Sequence, residues 1–138
     1  MIHSTAFRLL LIAMLYAPDH GTSPSAVHTV NLLADRNSTF RLIGSETSEL
    51  DLVAGEPVLL RVEARKAKSM NRDGSVHGLV LVDRDRKPVP GWDLLFKPGV
   101  QEMQLTAPVE AGTYEALCTV ICSTAHEHMK LRVVVRSK

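Results

Sequence analysis

The chain has 138 residues, a formal net charge of +1 and 4% aromatic residues. This length provides for one domain-sized core and not for two. The near-neutral charge and the few aromatic side chains provide neither a strongly basic surface nor a stacking platform, so nucleic acid is excluded as a partner. The sequence also lacks internal repeats, coiled-coil heptads and a long amphipathic helix.

The N-terminal segment has the pattern of a secretory signal, with Arg8 before an apolar stretch over 9–17. A membrane-spanning helix needs about 20 apolar residues, whereas the core of a signal peptide needs roughly 7 to 15. We therefore interpret 1–26 as a signal peptide and flexible N-terminal segment, and 27–138 as the mature domain. The mature domain is expected to be periplasmic or secreted, without stable membrane insertion. Because no clear Ala-x-Ala cleavage site is present, a short uncleaved anchor is the alternative.

Beyond about residue 27, apolar and polar residues alternate with a period of two. Val58, Leu60 and Val62 share one face of a segment that is polar on the other, as half-buried strands are. Turns containing Gly or Pro separate such segments. The pattern predicts strands over 40–43, 50–53, 57–63, 76–82, 92–96, 100–107, 112–118 and 131–135. About eight short strands predict an all-β, Greek-key β-sandwich.

A cluster of metal-binding residue types lies between the last two predicted strands. Cys118, Cys122, His126 and Met129 fall within twelve consecutive residues. Thiolate, imidazole and thioether donors favour copper over hard, oxygen-preferring ions, and a weak axial Met is typical of copper sites built from Cys and His. The Cys-x3-Cys spacing lets both sulfurs turn into one pocket. The sequence therefore predicts a copper site in this loop.

This loop resembles that of the binuclear purple-copper (CuA) domains of haem-copper oxidase subunit II and nitrous oxide reductase, and more loosely that of all cupredoxins. The resemblance covers roughly residues 39–136. The segment 74–78 loosely resembles the family's Asp-Val-x-His-Gly/Ser segment, which makes His77 the candidate ligand from an earlier strand. The resemblance implies a cupredoxin-like sandwich that holds two copper ions bridged by the sulfurs of Cys118 and Cys122.

The same resemblance assigns the remaining ligands. His77 and His126 would each cap one copper ion, with the thioether of Met129 and the carbonyl of Val120 as weak axial ligands. Val120 stands where the family usually has Glu, but a carbonyl donor does not depend on the side chain. The predicted metal ligands are therefore His77, Cys118, Val120, Cys122, His126 and Met129.

Three simpler sites could use the same residues. A disulfide between Cys118 and Cys122 would close a very short loop and would leave the spacing of His126 and Met129 unexplained. A zinc site made of the two cysteines, His126 and His77 would leave out Met129, since Met is a poor zinc ligand. A mononuclear type 1 copper site needs only one Cys, two His and a Met, with Cys118 as a small core residue. The place of Cys118 on the loop favours two ions.

The other histidines are not expected to bind metal. His128 has charged neighbours and is expected to face solvent, whereas His20 and His28 fall in an N-terminal region expected to be poorly structured.

Two departures from the family concern the partner. Oxidase subunit II has a Glu at the position of Val120, which reaches a hard metal at the interface with the catalytic subunit, so that interface is not expected here. It also has an aromatic-rich segment before its first copper histidine, where this chain has the basic run 65–72 without an aromatic residue. The basic run is interpreted either as a solvated loop or as a docking face for an acidic partner.

The sequence thus predicts a soluble, exported electron-transfer protein with a binuclear CuA centre. It is not expected to be an enzyme, because no open coordination position is evident. The expected partner is a redox protein, either a cytochrome or another copper protein, and the chain is expected to be a monomer. The alternatives are a metallochaperone that delivers copper to an oxidase and a mononuclear type 1 copper protein. An oxidase subunit would need a membrane anchor that the sequence hardly provides.

Overall fold

A computed structural model describes residues 26–138. The predicted signal peptide over 1–26 therefore lies, except for its last residue, outside the described residues. Within the described part, no helix has the length and apolar character needed to cross a membrane. The elements are β1 (His28–Ala34), β2 (Phe40–Leu42), β3 (Glu49–Val53), β4 (Pro57–Ala64), β5 (His77–Val82), β6 (Pro88–Phe96), β7 (Gly99–Thr106), β8 (Gly112–Leu117), a 3-10 turn (His126–His128) and β9 (Lys130–Arg136).

The strands form two sheets packed face to face. One sheet has the order β2-β1-β4-β7, and the other has the order β3-β9-β8-β5-β6. The pairs β1–β4 and β3–β9 are parallel, and the remaining pairs are antiparallel. Since four of the seven neighbouring pairs are not consecutive in sequence, the chain crosses repeatedly between the layers. The predicted all-β Greek-key sandwich is confirmed, with nine strands where about eight were expected.

The core lies between the two sheets and follows the alternation seen in the sequence. Val58, Leu60 and Val62 of β4 are all buried, whereas Arg61 between them is exposed. Phe96 of β6 is fully buried in the opposite sheet. Burying each such apolar side chain stabilises the fold by about 1.5–3 kcal/mol.

Strand β1 corrects one expectation. The region around His28 is not poorly structured, because His28 begins β1, which pairs in parallel with β4 along its whole length. The side chains of 32–34 are all buried. The alternation of buried and exposed residues therefore stops inside β1, which makes the strand hard to predict from the sequence. The Nδ1 atom of His28 also lies 2.8 Å from Oε1 of Glu56, which ties the start of β1 to the turn before β4.

The start of β5 and the end of β8 meet at one end of the sandwich, because these strands are antiparallel neighbours. His77 is the first residue of β5, and Cys118 directly follows β8. Gly78 makes the approach possible: a Cβ at this position would overlap the Thr119 side chain and would lie 3.1 Å from the carbonyl oxygen of Leu94. The sheet therefore brings an early histidine against the cysteine loop.

Phe96 provides a test of the packing beneath this end. It pairs with His77 across β5 and β6 and is 0% exposed, so we expect Phe96→Ala to lower the free energy of unfolding of the metal-free protein by about 3–5 kcal/mol. The matched control is Val100→Ala, at a position that is 59% exposed, which is expected to change it by less than about 0.5 kcal/mol. Urea denaturation measures both. Equal losses in the two variants would contradict this account of the core.

Candidate metal centre

His77 presents one ring nitrogen without a partner to the interior. The side chain is 0% exposed, and its Nε2 donates to the carbonyl oxygen of Arg65 at 2.7 Å, which leaves Nδ1 with the free lone pair. Nδ1 is buried and has no hydrogen-bond partner among the described residues. Burial lowers the pKa of His77 against the opposing effect of its bond to Arg65, so the ring is neutral near pH 7. A buried lone pair without a partner suits a metal ion.

The two cysteines lie beside the ring of His77. Both are free thiols, and their Sγ atoms and a ring nitrogen of His77 all lie within 4.8 Å of one another. Cys118 donates from Sγ to the carbonyl oxygen of Val120 at 3.3 Å. Burial raises the pKa of the Cys118 thiol, and the neighbouring Cys122 acts in the same direction. Metal-free Cys118 is therefore a protonated thiol, and a bound cation would be needed to stabilise its thiolate.

Met129 closes the cluster from the side of β9. Its side chain is 1% exposed, and its Sδ lies 4.0 Å from Sγ of Cys122. The carbonyl oxygen of Met129 accepts a hydrogen bond from the backbone N–H of Cys118 at 3.1 Å. This bond joins the two ends of the ligand loop, so the thioether and both thiols are held in one pocket.

His126 is more exposed than the other predicted ligands. It begins the 3-10 turn and is half-buried, and its Nδ1 is buried without a hydrogen-bond partner among the described residues. It does not belong to the group that His77 forms with the two cysteines. The structure thus brings together His77, Cys118, Val120, Cys122 and Met129. His128 is exposed, as expected.

The backbone of the loop after β4 holds both halves of the cluster. The N–H groups of Lys68 and Ser69 donate to the carbonyl oxygen of Cys122 at 3.0 and 2.9 Å. The carbonyl oxygen of Arg65, in the same loop, accepts from His77. The basic run 65–72 is therefore part of the frame of the site as well as of its surface.

Ser38, in the loop between β1 and β2, is a site residue that sequence analysis missed. It is 3% exposed, and its Oγ lies 3.3 Å from Sγ of Cys122 and 2.6 Å from Oγ of Ser123. Ser38 and Cys122 are 84 residues apart in the sequence, so no local motif could have indicated their contact.

The chemistry of these donors fits copper. Two sulfur atoms of cysteine, a thioether and imidazole nitrogens are soft or intermediate donors, and the cluster contains no carboxylate. By contrast, a surface cavity of about 740 Å³ lies at the other end of the sandwich near Pro57, Trp92 and Thr106. No titratable side chain lines it. The chemistry-bearing groups of the described chain are thus concentrated at the cysteine loop.

Comparison with known proteins bears on the fold. No protein-family model and no curated protein matches this sequence. A chain of a heme-copper terminal oxidase dimer matches with a TM-score of 0.56 and 17% identity over 79% of this chain and 65% of that one. Auracyanin A, a blue copper protein from Chloroflexus aurantiacus, matches with a TM-score of 0.54 and 20% identity over 80% of this chain and 100% of that one. Rusticyanin from Thiobacillus ferrooxidans matches with a TM-score of 0.52 and 18% identity over 80% and 77% of the two chains.

These matches establish the class of fold. The chain has a cupredoxin-like Greek-key β-sandwich, the architecture of the blue copper proteins that it resembles. It spans slightly less than two thirds of the length of the oxidase chain. Because the identities are 20% or less in all three comparisons, what the centre binds is argued from its own residues.

Proposed function

We propose that this protein transfers single electrons through a centre of two copper ions bridged by Cys118 and Cys122. The observation that carries the proposal is the pair of buried, free thiols within 4.8 Å of each other and of a His77 nitrogen. Sulfur and imidazole donors favour copper over hard, oxygen-preferring ions, and the thioether of Met129 beside them favours copper over zinc. The similarity of the fold to blue copper proteins and to an oxidase chain supports copper as the metal.

Each predicted ligand would have a distinct role in the centre. Nδ1 of His77 would hold one ion and Nδ1 of His126 the other, since both nitrogens are buried without partners. Sδ of Met129 and the carbonyl oxygen of Val120 would be the weak axial donors, because each already lies against one of the sulfurs. Copper supplies a one-electron couple when bound. His126, on the half-buried turn, would be the route by which electrons reach the surface.

The place of Cys118 favours two ions over one. A mononuclear type 1 site, the alternative, needs one cysteine, two histidines and a methionine. In this chain the sulfur of Cys118 lies within 4.8 Å of the sulfur of Cys122 and of a His77 nitrogen as well. Two thiols placed together in this way can be shared by two ions.

The burial of the thiols favours an electron carrier over a copper metallochaperone. Cys122 is 0% exposed and Cys118 is 9% exposed. Metal exchange between two proteins needs ligands that an acceptor can reach, whereas electron transfer needs only a short distance and a rigid site. The same enclosure leaves no coordination position for a substrate, so we infer no enzymatic activity. The predicted signal peptide gives a periplasmic or secreted location.

A basic, partly apolar surface beside the centre suggests the kind of partner. Lys66, Lys68 and Arg72 are exposed, and within 26–138 they form no ion pair. Met70 is 55% exposed and Ile121 is 69% exposed. Their two loop segments lie together, because the N–H groups of Lys68 and Ser69 donate to the carbonyl oxygen of Cys122. Positive charge around apolar side chains suits an acidic redox protein.

Copper content and spectrum test the main proposal. We expect the loaded protein to bind two copper ions per chain and to show the EPR pattern of one unpaired electron shared by two coppers, with seven hyperfine lines. One ion per chain with a four-line pattern would show a type 1 site instead. Failure to bind copper would overturn both assignments.

The two cysteines are expected to differ. Cys118→Ser leaves Cys122, Met129 and both imidazoles in place, so we expect one copper ion and a type 1 spectrum. Cys122→Ser removes the sulfur that contacts Met129 at 4.0 Å and should lose copper more completely. Metal analysis and absorption spectra of both variants make the comparison. Identical behaviour of the two variants would contradict the distinct roles assigned here.

If the basic surface around Lys66 and Lys68 is the docking face, the electron-transfer rate should depend on ionic strength. The bimolecular rate with an acidic redox protein should fall by roughly tenfold or more from low to physiological ionic strength, because steering by surface charge is screened by salt. Lys66→Glu and Lys68→Glu, each as a single substitution, should lower the low-salt rate. Lys87→Glu, in the turn before β6 at the far end of the sandwich, is the matched control. Stopped-flow measurements that show a faster reaction with a basic cytochrome, or equal effects of all three charge reversals, would refute the docking face.

A further inference from the structure

We propose that Ser38 donates a hydrogen bond to the sulfur of Cys122 and thereby raises the reduction potential of the centre. This inference rests on the copper-binding function proposed above and adds to it a residue from a distant loop. Ser38 acts through the cysteine sulfur, so it is a positioning and tuning residue and not a ligand. The contact is built into the interior, because Ser38 and Cys122 are 3% and 0% exposed and their Oγ and Sγ atoms lie 3.3 Å apart.

The surrounding hydrogen bonds give this contact a direction. The backbone N–H of Ala125 donates to Oγ of Ser123 at 3.1 Å, and Oγ of Ser123 lies 2.6 Å from Oγ of Ser38. A backbone N–H can only donate, and a metal-bound thiolate can only accept. Only one arrangement satisfies both of these groups. Ala125 donates to Ser123, Ser123 donates to Ser38, and Ser38 donates to the sulfur of Cys122.

A series of hydrogen bonds that all point the same way strengthens the last one, from Ser38 to the sulfur of Cys122. Each hydroxyl that accepts a hydrogen bond becomes a better donor, so the bonds polarise one another, and more strongly in a buried environment. A hydrogen bond to a charged acceptor is also stronger than one between neutral groups. Electron density drawn from the sulfur makes it a weaker donor to oxidised copper. The reduced state is then favoured, and the potential rises.

The backbone at Ser38 indicates that the position is held in place. Its φ is +58°, a left-handed conformation that is uncommon outside glycine. Its N–H donates to the carbonyl oxygen of Asp35 at 3.1 Å, and the Asp35 N–H donates to the carbonyl oxygen of Thr39 at 2.9 Å. The carboxylate of Asp35 is in turn paired with Arg41 at 3.3 Å. Residues kept in such conformations by their surroundings are frequent at functional sites.

A purely mechanical role for Ser38 would have a different signature. If the serine pair only locked the ligand loop, Ser38→Ala and Ser123→Ala would act alike, because each removes the 2.6 Å bond between them. If Ser38 acts on the sulfur, Ser38→Ala removes the donor itself. Ser123→Ala removes only the group that polarises it, so its effect is smaller. The two variants therefore distinguish the roles.

The experiment compares copper-loaded wild type, Ser38→Ala and Ser123→Ala, with copper content determined on each sample. It measures the reduction potential, the sulfur-to-copper charge-transfer band and the hyperfine coupling of exchangeable protons. Ser38→Ala is expected to lower the potential, move the band to longer wavelength and remove one exchangeable proton coupling. Ser123→Ala is expected to shift the potential in the same direction by less and to keep that coupling. Ser38→Gly tolerates the positive φ and is expected to match Ser38→Ala, so it replaces that variant if alanine prevents folding.

The outcomes separate the two proposals. An unchanged potential and a retained proton coupling in copper-loaded Ser38→Ala would overturn the role of Ser38 while leaving the copper centre intact. Equal shifts in Ser38→Ala and Ser123→Ala would also overturn it, in favour of a mechanical lock. Wild-type protein that takes up no copper would overturn the proposed function first, and the role of Ser38 with it.

Discussion

One hydrogen bond decides what the centre can bind. The bond from Nε2 of His77 to the carbonyl oxygen of Arg65 at 2.7 Å places the proton of the ring on that nitrogen and leaves the buried Nδ1 with a free lone pair. With the other tautomer, Nδ1 would carry the proton and could not bind an ion. Burial, which lowers the pKa of His77, keeps the ring from taking up the second proton that would have the same effect. The other predicted donors are useful only because this nitrogen is available.

The same loop makes the site rigid. Arg65 orients His77, and three residues later the Lys68 N–H binds the carbonyl oxygen of Cys122. The histidine on β5 and the cysteine loop after β8 are therefore held by one short piece of backbone as well as by the pairing of their strands. A ligand set fixed in this way changes its geometry little between two oxidation states, which is what rapid electron transfer requires. The surface of this loop carries the exposed lysines, so docking and electron transfer would occur at the same end.

Residues that lie close together in the sequence could be assigned to the site, whereas contacts between distant residues could not. Cys118, Cys122 and Met129 could be assigned to one pocket because they lie on a single loop, and the alternation in β4 predicted its buried face. His77 lies 41 positions before Cys118 and came from the resemblance to a family. Ser38 could not be found, because a serine at a turn carries no sign of its distant partner. Strand β1 was missed because its last three residues are all buried, which interrupts the alternation.

The protonation of the thiols makes copper binding depend on pH. Two adjacent thiolates in a buried pocket would repel each other and lose hydration, and burial accordingly raises the pKa of Cys118. As a neutral thiol, Cys118 is satisfied by the carbonyl oxygen of Val120. Binding of copper would displace protons from sulfur, so copper affinity is expected to rise with pH. The carbonyl oxygen of Val120, which accepts from the Cys118 thiol, is also the group proposed as a weak donor to copper. Copper binding would therefore exchange one partner of Val120 for another without rebuilding the loop.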